Sequence, residues 1–299
     1  MAVPVILVYN GRRMTFVQKI IRHAHVPYYA LLLLWETLRA WGAEKWARFW
    51  GSSEESLLLT MDGLTFQIRG SSIKSKMTDT FAVMESLHHN LYNRRFYDDE
   101  FRIGEGDTVV DIGAYIGSFA VPAARFARNG VLYAFEPAPA NFAQLERNIE
   151  LNKAGNVRAF NLGIVGADRR ITLFLDHMNP ASNSIYLRSD QEAAENSVDR
   201  DAISLATLFD RERIPKCHFL KVDCEGAEYE ILMSLDPSML SRIGKIACEV
   251  HEPAYYGVTN PEHTPDKLAA FLEKNGFTVY RKPVNPYLGM LYAANRRSP

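Results

Sequence analysis

Residues 107–137 read DTVVDIGAYIGSFAVPAARFARNGVLYAFEP, and this stretch decides the fold. It opens on a β-branched run, Thr108-Val109-Val110, closed by Asp111. A turn punctuated by Gly113 and Gly117 follows, then an apolar helical segment over 118–128 that Asn129-Gly130 stops. A second apolar run over 131–135 ends in Glu136-Pro137. Strand, glycine loop, helix, strand and acid form the first half of a nucleotide-binding α/β domain. The loop brings backbone close to a ligand at one strand end. Glu136, at the next, is placed to accept hydrogen bonds from ribose hydroxyls.

Downstream the pattern repeats. Residues 139–151 predict an amphipathic helix, because Phe142, Leu145 and Ile149 recur at three- and four-residue intervals. A third strand falls at 157–160, a hairpin partner at 171–175 and a polar loop over 179–201. A short helix is expected over 202–209, a fourth strand over 218–222 ending at Asp223, and a helix over 227–235. Strand 245–251, helix 265–275, strand 277–282 and a last strand over 288–293 complete the chain. Strands separated by helices imply a parallel sheet covered on both faces.

Upstream, 14–50 reads as helical. At about 100° per residue, Trp35, Trp46 and Trp50 share an arc of roughly 60°. Such a face packs on the protein's own core, joins a second subunit as a homo-oligomer contact, or lies in a lipid interface beside Arg39, Lys45 and Arg48. All three readings stay open. Residues 57–68, with a central Asp-Gly, predict a hairpin, and 79–101 predicts a helix. The expected organisation is an N-terminal extension over 1–77 and a catalytic domain over 78–299.

The chain has 299 residues, of which 47% are apolar and 23% charged, ordinary for a globular protein. A net charge of −1 with no long basic block gives no support for nucleic-acid binding. The three cysteines, Cys217, Cys224 and Cys248, lack metal-ligand spacing and are odd in number, which fits a reducing, cytoplasmic compartment. The apolar run 26–35 is far below the roughly 20 residues a membrane span needs. Membrane contact, if any, is therefore peripheral, through the segment from Trp35 to Trp50.

Two cofactor classes use this architecture. A dinucleotide fingerprint wants G-x-G-x-x-G, but Asp111 stands at its first glycine. A carboxylate at the strand tip repels a pyrophosphate and suits a sulfonium or ammonium ligand such as S-adenosylmethionine. A nicotinamide oxidoreductase and a non-catalytic interaction protein on the same scaffold remain the rival readings.

VVDIGAYIGSF, FEP, LKVDCEGAEYEIL and ACEVHE together resemble the FkbM family of S-adenosylmethionine-dependent methyltransferases. The family's K-x-D-x-E-G-A-E motif is matched by Lys221, Asp223, Glu225, Gly226, Ala227 and Glu228, and Tyr97 also fits. The resemblance spans roughly 79–294. It implies a class I methyltransferase fold, a Rossmann-like α/β seven-stranded sheet with a reversed last strand. It implies that Asp111, Gly113, Tyr115 and Gly117 line the cofactor with Glu136 and Pro137. Asn161 is an adenine-side candidate, Asp223 a candidate for the cofactor amine or the acceptor, and Asn183-Ser184 either a ligand contact or a turn. The implied acceptor is a hydroxyl of a sugar, glycolipid or natural product.

Methylating an alcohol also requires removal of its proton. Asp223 and Glu225 end the fourth strand, and Glu249, His251 and Glu252 end or follow the fifth. His251 is the leading candidate base, with Asp223, Glu225 and Glu249 beside it, while Glu228 reads as a helix-end acid. Asp223, Glu249 and His251 are donor types that suit magnesium or manganese, but their spacing along the chain establishes no metal.

Overall fold

The computed structural model describes Thr37 and residues 43–89, 101–176, 179–187, 196–256, 258, 260–285 and 287–296. Two compact units emerge, Met1–Ser52 and Ser53–Pro299. The boundary expected from sequence lay at 77/78, whereas the hairpin belongs to the larger unit. In the smaller unit, α1 (Ala43–Gly51) buries Trp50, whose indole donates to Thr37 Oγ1 at 3.3 Å. Trp46 is half-buried, and Trp35 lies outside the described residues, as does Tyr97. Among the described residues no helix is long and apolar enough to cross a membrane.

The larger unit opens with the hairpin β1 (Ser56–Met61) and β2 (Leu64–Arg69), turned by Asp62-Gly63 with both residues at positive φ. Helix α2 (Ile73–Met84) follows, starting ahead of the expected residue 79 because Ser72 and Ser75 form a reciprocal capping box. A π-turn, Glu85–His89, extends it. The remaining elements are β3 (Thr108–Ile112), α3 (Ala120–Phe126), β4 (Val131–Phe135), α4 (Pro139–Leu151), β5 (Val157–Phe160), β6 (Gly163–Val165), β7 (Arg169–Phe174) and β8 (Ser197–Ser204). Then come α5 (Leu205–Arg211), β9 (Cys217–Val222), α6 (Glu228–Met233), α7 (Pro237–Ser241), β10 (Ile243–His251), α8 (Pro265–Lys274), β11 (Phe277–Asn285) and β12 (Leu288–Asn295).

Seven strands form the main sheet in the order β11-β12-β10-β9-β3-β4-β5. The inner pairs are parallel, and β12 runs antiparallel to both β10 and β11. Alternate residues of each strand feed two cores: Val110, Ile112, Leu220 and Val222 on one face, Val109, Phe219 and Ala247 on the other. The order reverses between β3 and β9, and at such a switch point the strand ends diverge and leave a crevice.

One expectation changes. Part of the predicted polar loop over 179–201 is strand. β8 pairs antiparallel with β7 and parallel with β6, giving a small three-stranded sheet. The following helix starts at Leu205, where Ser204 caps it by accepting from Thr207 N. Polar residues on the outer positions of β8 hid a strand whose partners are distant in sequence.

The hairpin is tied to α4 through side chains. Asn152 Oδ1 accepts from Thr65 N at 2.8 Å and its amide donates to Thr65 O at 2.6 Å. One helical turn earlier, Asn148 Oδ1 accepts from Gln67 N at 2.6 Å, and its amide donates to the carbonyls of Gln67 (3.2 Å) and Ile116 (2.8 Å). Arg69 N continues the row onto Asp79 Oδ2 at 2.7 Å. Asn148 is fully buried, so its loss strands several backbone groups. Asn148→Ala is expected to cost about 2–3 kcal/mol, read by chemical denaturation.

Candidate active site

Strand register assembles the site. Val222 aligns with Ile112 on β3 and with Cys248 on β10, so Gly113, Asp223 and Glu249 leave the sheet side by side. Lys221 stands opposite Asp111 in the same register. Its Nζ lies 3.2 Å from Asp111 Oδ1 and 3.4 Å from Asp223 Oδ2, and donates to Gly113 O at 2.6 Å. Burial pushes the Asp111 carboxyl up, opposed by Lys221. Burial by itself lowers the Lys221 ammonium, but Asp111 and Asp223 outweigh it and the net shift is upward.

Asp111 is completely buried, which changes its expected part. Its charge is matched by Lys221, so it anchors the floor. The acid nearer the crevice is Asp223, with a side chain 25% exposed, and Glu85 is close enough to feel its charge. Burial and then the Asp223 charge raise the Glu85 carboxyl. No local motif marks Glu85, which sits at the start of the π-turn.

The glycines have internal reasons. Gly113 has φ +77°, and a Cβ there would lie 1.7 Å from Asp223 O, so only glycine lets the loop cross the end of β9. Both Gly113 N and Ala114 N donate to Phe135 O, at 3.0 and 2.9 Å. Gly117, at φ +85°, closes on Leu145 of α4.

Glu136 is buried at the end of β4. Its Oε2 accepts from Tyr115 N at 2.9 Å, and Oε1 from Ala138 N at 2.9 Å and Asn141 Nδ2 at 3.3 Å. Burial outweighs these donors and lifts the carboxyl to about 7. Tyr115, at positive φ, bonds through its hydroxyl with Asp79 and Arg69. Arg69 also reaches Asp79 Oδ1 at 2.6 Å and Asn141 Oδ1 at 3.0 Å. Arg69, Asp79 and Asn141 were not singled out from sequence, because they lie on the hairpin, α2 and α4 with no motif linking them. Asn161 donates to the carbonyls of Glu136 (2.8 Å) and Pro137 (3.0 Å), and so fixes the backbone beyond β4.

On the other side of the crevice, Glu225 and Gly226 both adopt positive φ, at 53° and 108°. Ser184 Oγ donates to Glu225 O at 2.6 Å, and Asn183 Oδ1 accepts from Asp176 N at 2.8 Å. Asn183-Ser184 thus braces the loop and the Glu225 turn. Glu228 does more than end a helix. Fully buried, it accepts from Gly226 N at 3.0 Å and holds His251 Nδ1 at 2.7 Å. His251 Nε2 faces Glu225 Oε2 at 3.4 Å and Glu249 Oε1 at 3.8 Å. Tyr256, also absent from the sequence reading, donates its hydroxyl to Glu225.

Burial lowers the His251 imidazole, but Glu225, Glu228 and Glu249 outweigh it and hold its pKa well above the usual value.

The donor set can be tested against the implied cofactor. With Asp111 paired to Lys221, Asp223 keeps a carboxylate at the crevice, and Glu136 offers an acceptor at the adjoining strand end. Those residues fit a ligand with two cationic centres and a ribose, as in S-adenosylmethionine, whereas a pyrophosphate would meet carboxylates.

A reversed last strand in a seven-stranded sheet, with this acidic crevice, defines an S-adenosylmethionine-dependent methyltransferase. The chain belongs to the FkbM methyltransferase family: the methyltransferase FkbM domain matches residues 111–279, more than half of its length. It is similar to "Methyltransferase 1" of Beauveria bassiana, 27% identical over 203 residues, covering 59% of this chain and 81% of that one. The "31-O-demethyl-FK506 methyltransferase FkbM" of Streptomyces tacrolimicus is 26% identical over 219 residues, covering 64% and 81%. The "Hexuronic acid methyltransferase AglP" of Haloferax volcanii is 27% identical over 147 residues, covering 49% and 57%. A solved S-adenosylmethionine-dependent methyltransferase of Aquifex aeolicus aligns over 74% of this chain and 97% of its own, at 15% identity and a TM-score of 0.41. At that level strand order carries the fold. The nicotinamide and non-catalytic readings fall with the family match.

Proposed function

We propose that the protein methylates a hydroxyl group on a sugar or natural-product acceptor. The observation that carries this reading is the convergence of Asp223, Glu225, Glu249 and His251 at adjacent strand ends beside the cofactor strands. An alcohol is a poor nucleophile until its proton leaves, and this cluster is equipped to receive one. S-adenosylmethionine, when bound, supplies an electrophilic methyl group and leaves as S-adenosylhomocysteine. The chain's residues align the acceptor oxygen, exclude water and take the proton, while the oxygen–carbon bond forms and the sulfur–carbon bond breaks. Asp223, Glu225, Glu249 and His251 are the groups placed to take that proton. The name of the 31-O-demethyl-FK506 methyltransferase supports an oxygen acceptor, and that of the hexuronic acid methyltransferase supports a sugar-type one.

The test incubates the protein with S-adenosylmethionine and a panel of neutral sugars, uronic acids and macrolide alcohols, with amines as the comparison. Formation of a methyl ether supports the reading. Turnover confined to amines would overturn it.

Glu136 makes the cofactor side pH-dependent. Its carboxyl is raised to about 7, so in the free protein its burial is tolerated at low pH and costs stability as pH rises from 4.5 to 7. Ribose hydroxyls prefer the ionised form, so affinity runs the opposite way. S-adenosylhomocysteine is expected to bind about tenfold more tightly at pH 8 than at pH 6. Glu136→Gln flattens that dependence, as read by calorimetry at the two pH values.

A further inference from the structure

We propose that Asp223, Glu249 and His251 form a binding site for one divalent cation of the manganese or magnesium type at the acceptor side of the crevice. The inference deepens the proposed hydroxyl methylation and rests on it for its purpose, though not for its geometry. One ligand atom from each of the three residues lies within 4.8 Å of the others. Two carboxylate oxygens and an imidazole nitrogen are a donor set for manganese or magnesium rather than for a thiophilic ion.

The first independent support is the orientation of the histidine. Glu228, completely buried, holds Nδ1 of His251 at 2.7 Å and is itself fixed by Gly226 N. A carboxylate that takes the Nδ1 proton fixes the tautomer and leaves Nε2 as the coordinating atom, as second-shell acids do for metal-bound histidines. Here Nε2 points at Glu225 and Glu249 from 3.4 and 3.8 Å, longer than a charge-assisted hydrogen bond. That spacing is one an ion between donors accommodates. The ring is 5% exposed, so its position is set by packing and not by solvent.

The second support is place: Val222 aligns with Cys248, so Asp223 and Glu249 leave the sheet side by side at the ends of β9 and β10, where an ion would polarise an acceptor hydroxyl toward loss of its proton.

The experiment titrates the full-length protein with Mn²⁺ and follows loss of the free-ion electron paramagnetic resonance signal. S-adenosylhomocysteine calorimetry and methyl transfer with and without EDTA run on the same preparations. Saturable binding of one Mn²⁺ per chain is expected, weakened at least tenfold by Asp223→Asn or Glu249→Gln. Glu228→Gln, which touches no ion, is expected to weaken it about 10–100-fold by freeing the histidine ring. Calorimetry on Glu249→Gln and Glu228→Gln checks that they fold. Absence of Mn²⁺ binding at millimolar ion, or binding that these variants leave unchanged, overturns the site. Methyl transfer to alcohols that persists in EDTA without bound Mn²⁺ sinks the cation while sparing the hydroxyl-methylation reading. Mn²⁺ binding with no alcohol turnover does the reverse.

Discussion

Lys221→Met will destabilise the protein by about 3–5 kcal/mol, and adding Asp111→Asn will return most of that loss. The lysine is the counter-ion of a fully buried carboxylate, 3.2 Å away, and also donates to the carbonyl of Gly113. Removing the cation alone strands a buried negative charge. Replacing the charged pair by a neutral one removes the Coulomb attraction and the desolvation cost together, and these two nearly balance. Urea denaturation at pH 7 of the wild type, both single variants and the double variant gives the cycle. A double variant as unstable as Lys221→Met would mean that the lysine's bond to Gly113, rather than its charge, holds the floor of the crevice.

Gly113→Ala will have a comparable effect by another route. An alanine there must adopt φ +77° and place its methyl carbon 1.7 Å from the Asp223 carbonyl oxygen, inside any permitted contact. The end of β3 or of β9 has to move, carrying Lys221 and Asp223 with it. Loss of at least about 3 kcal/mol of stability is expected, together with S-adenosylhomocysteine binding too weak for calorimetry. Gly155→Ala is the control, since a Cβ at that glycine meets nothing within 4 Å. Thermal unfolding of the two variants side by side decides the matter. An unperturbed Gly113→Ala would show that the two loops do not meet as closely as the sheet register requires.

Much of this was legible in the chain. Val157–Phe160 and Pro139–Leu151 follow from periodicity and turn residues, whereas the reversed final strand was implied only by the family resemblance. The acids at the tips of β3 and β9 were legible for a related reason: a strand-end acid followed within three residues by a glycine is a local pattern, and at the ends of β4 and β10 an acid precedes a proline. What escaped depends on long-range pairing. Ser197–Ser204 has polar outer positions, so its strand character comes from β6 and β7 and not from its own alternation. Arg69, Asp79 and Asn141 converge on Tyr115 and Glu136 from three elements, and nothing in their local sequence announces it. The carboxylate surroundings of His251 could not be read from Glu249-Val250-His251 either. They depend on Glu225 and Glu228 arriving from β9's far turn.

The row of side chains along β2 has a consequence for assembly. An exposed strand edge ordinarily invites another chain to lengthen the sheet. Here the outward peptide groups at Thr65 and Gln67 are taken, donor and acceptor both, by Asn152 and Asn148, and that of Arg69 is taken by Asp79. Amide side chains one helical turn apart imitate the neighbour a further strand would supply. The β2 edge of the hairpin is therefore closed to β-augmentation, and another chain cannot zip onto that edge without first unseating α4.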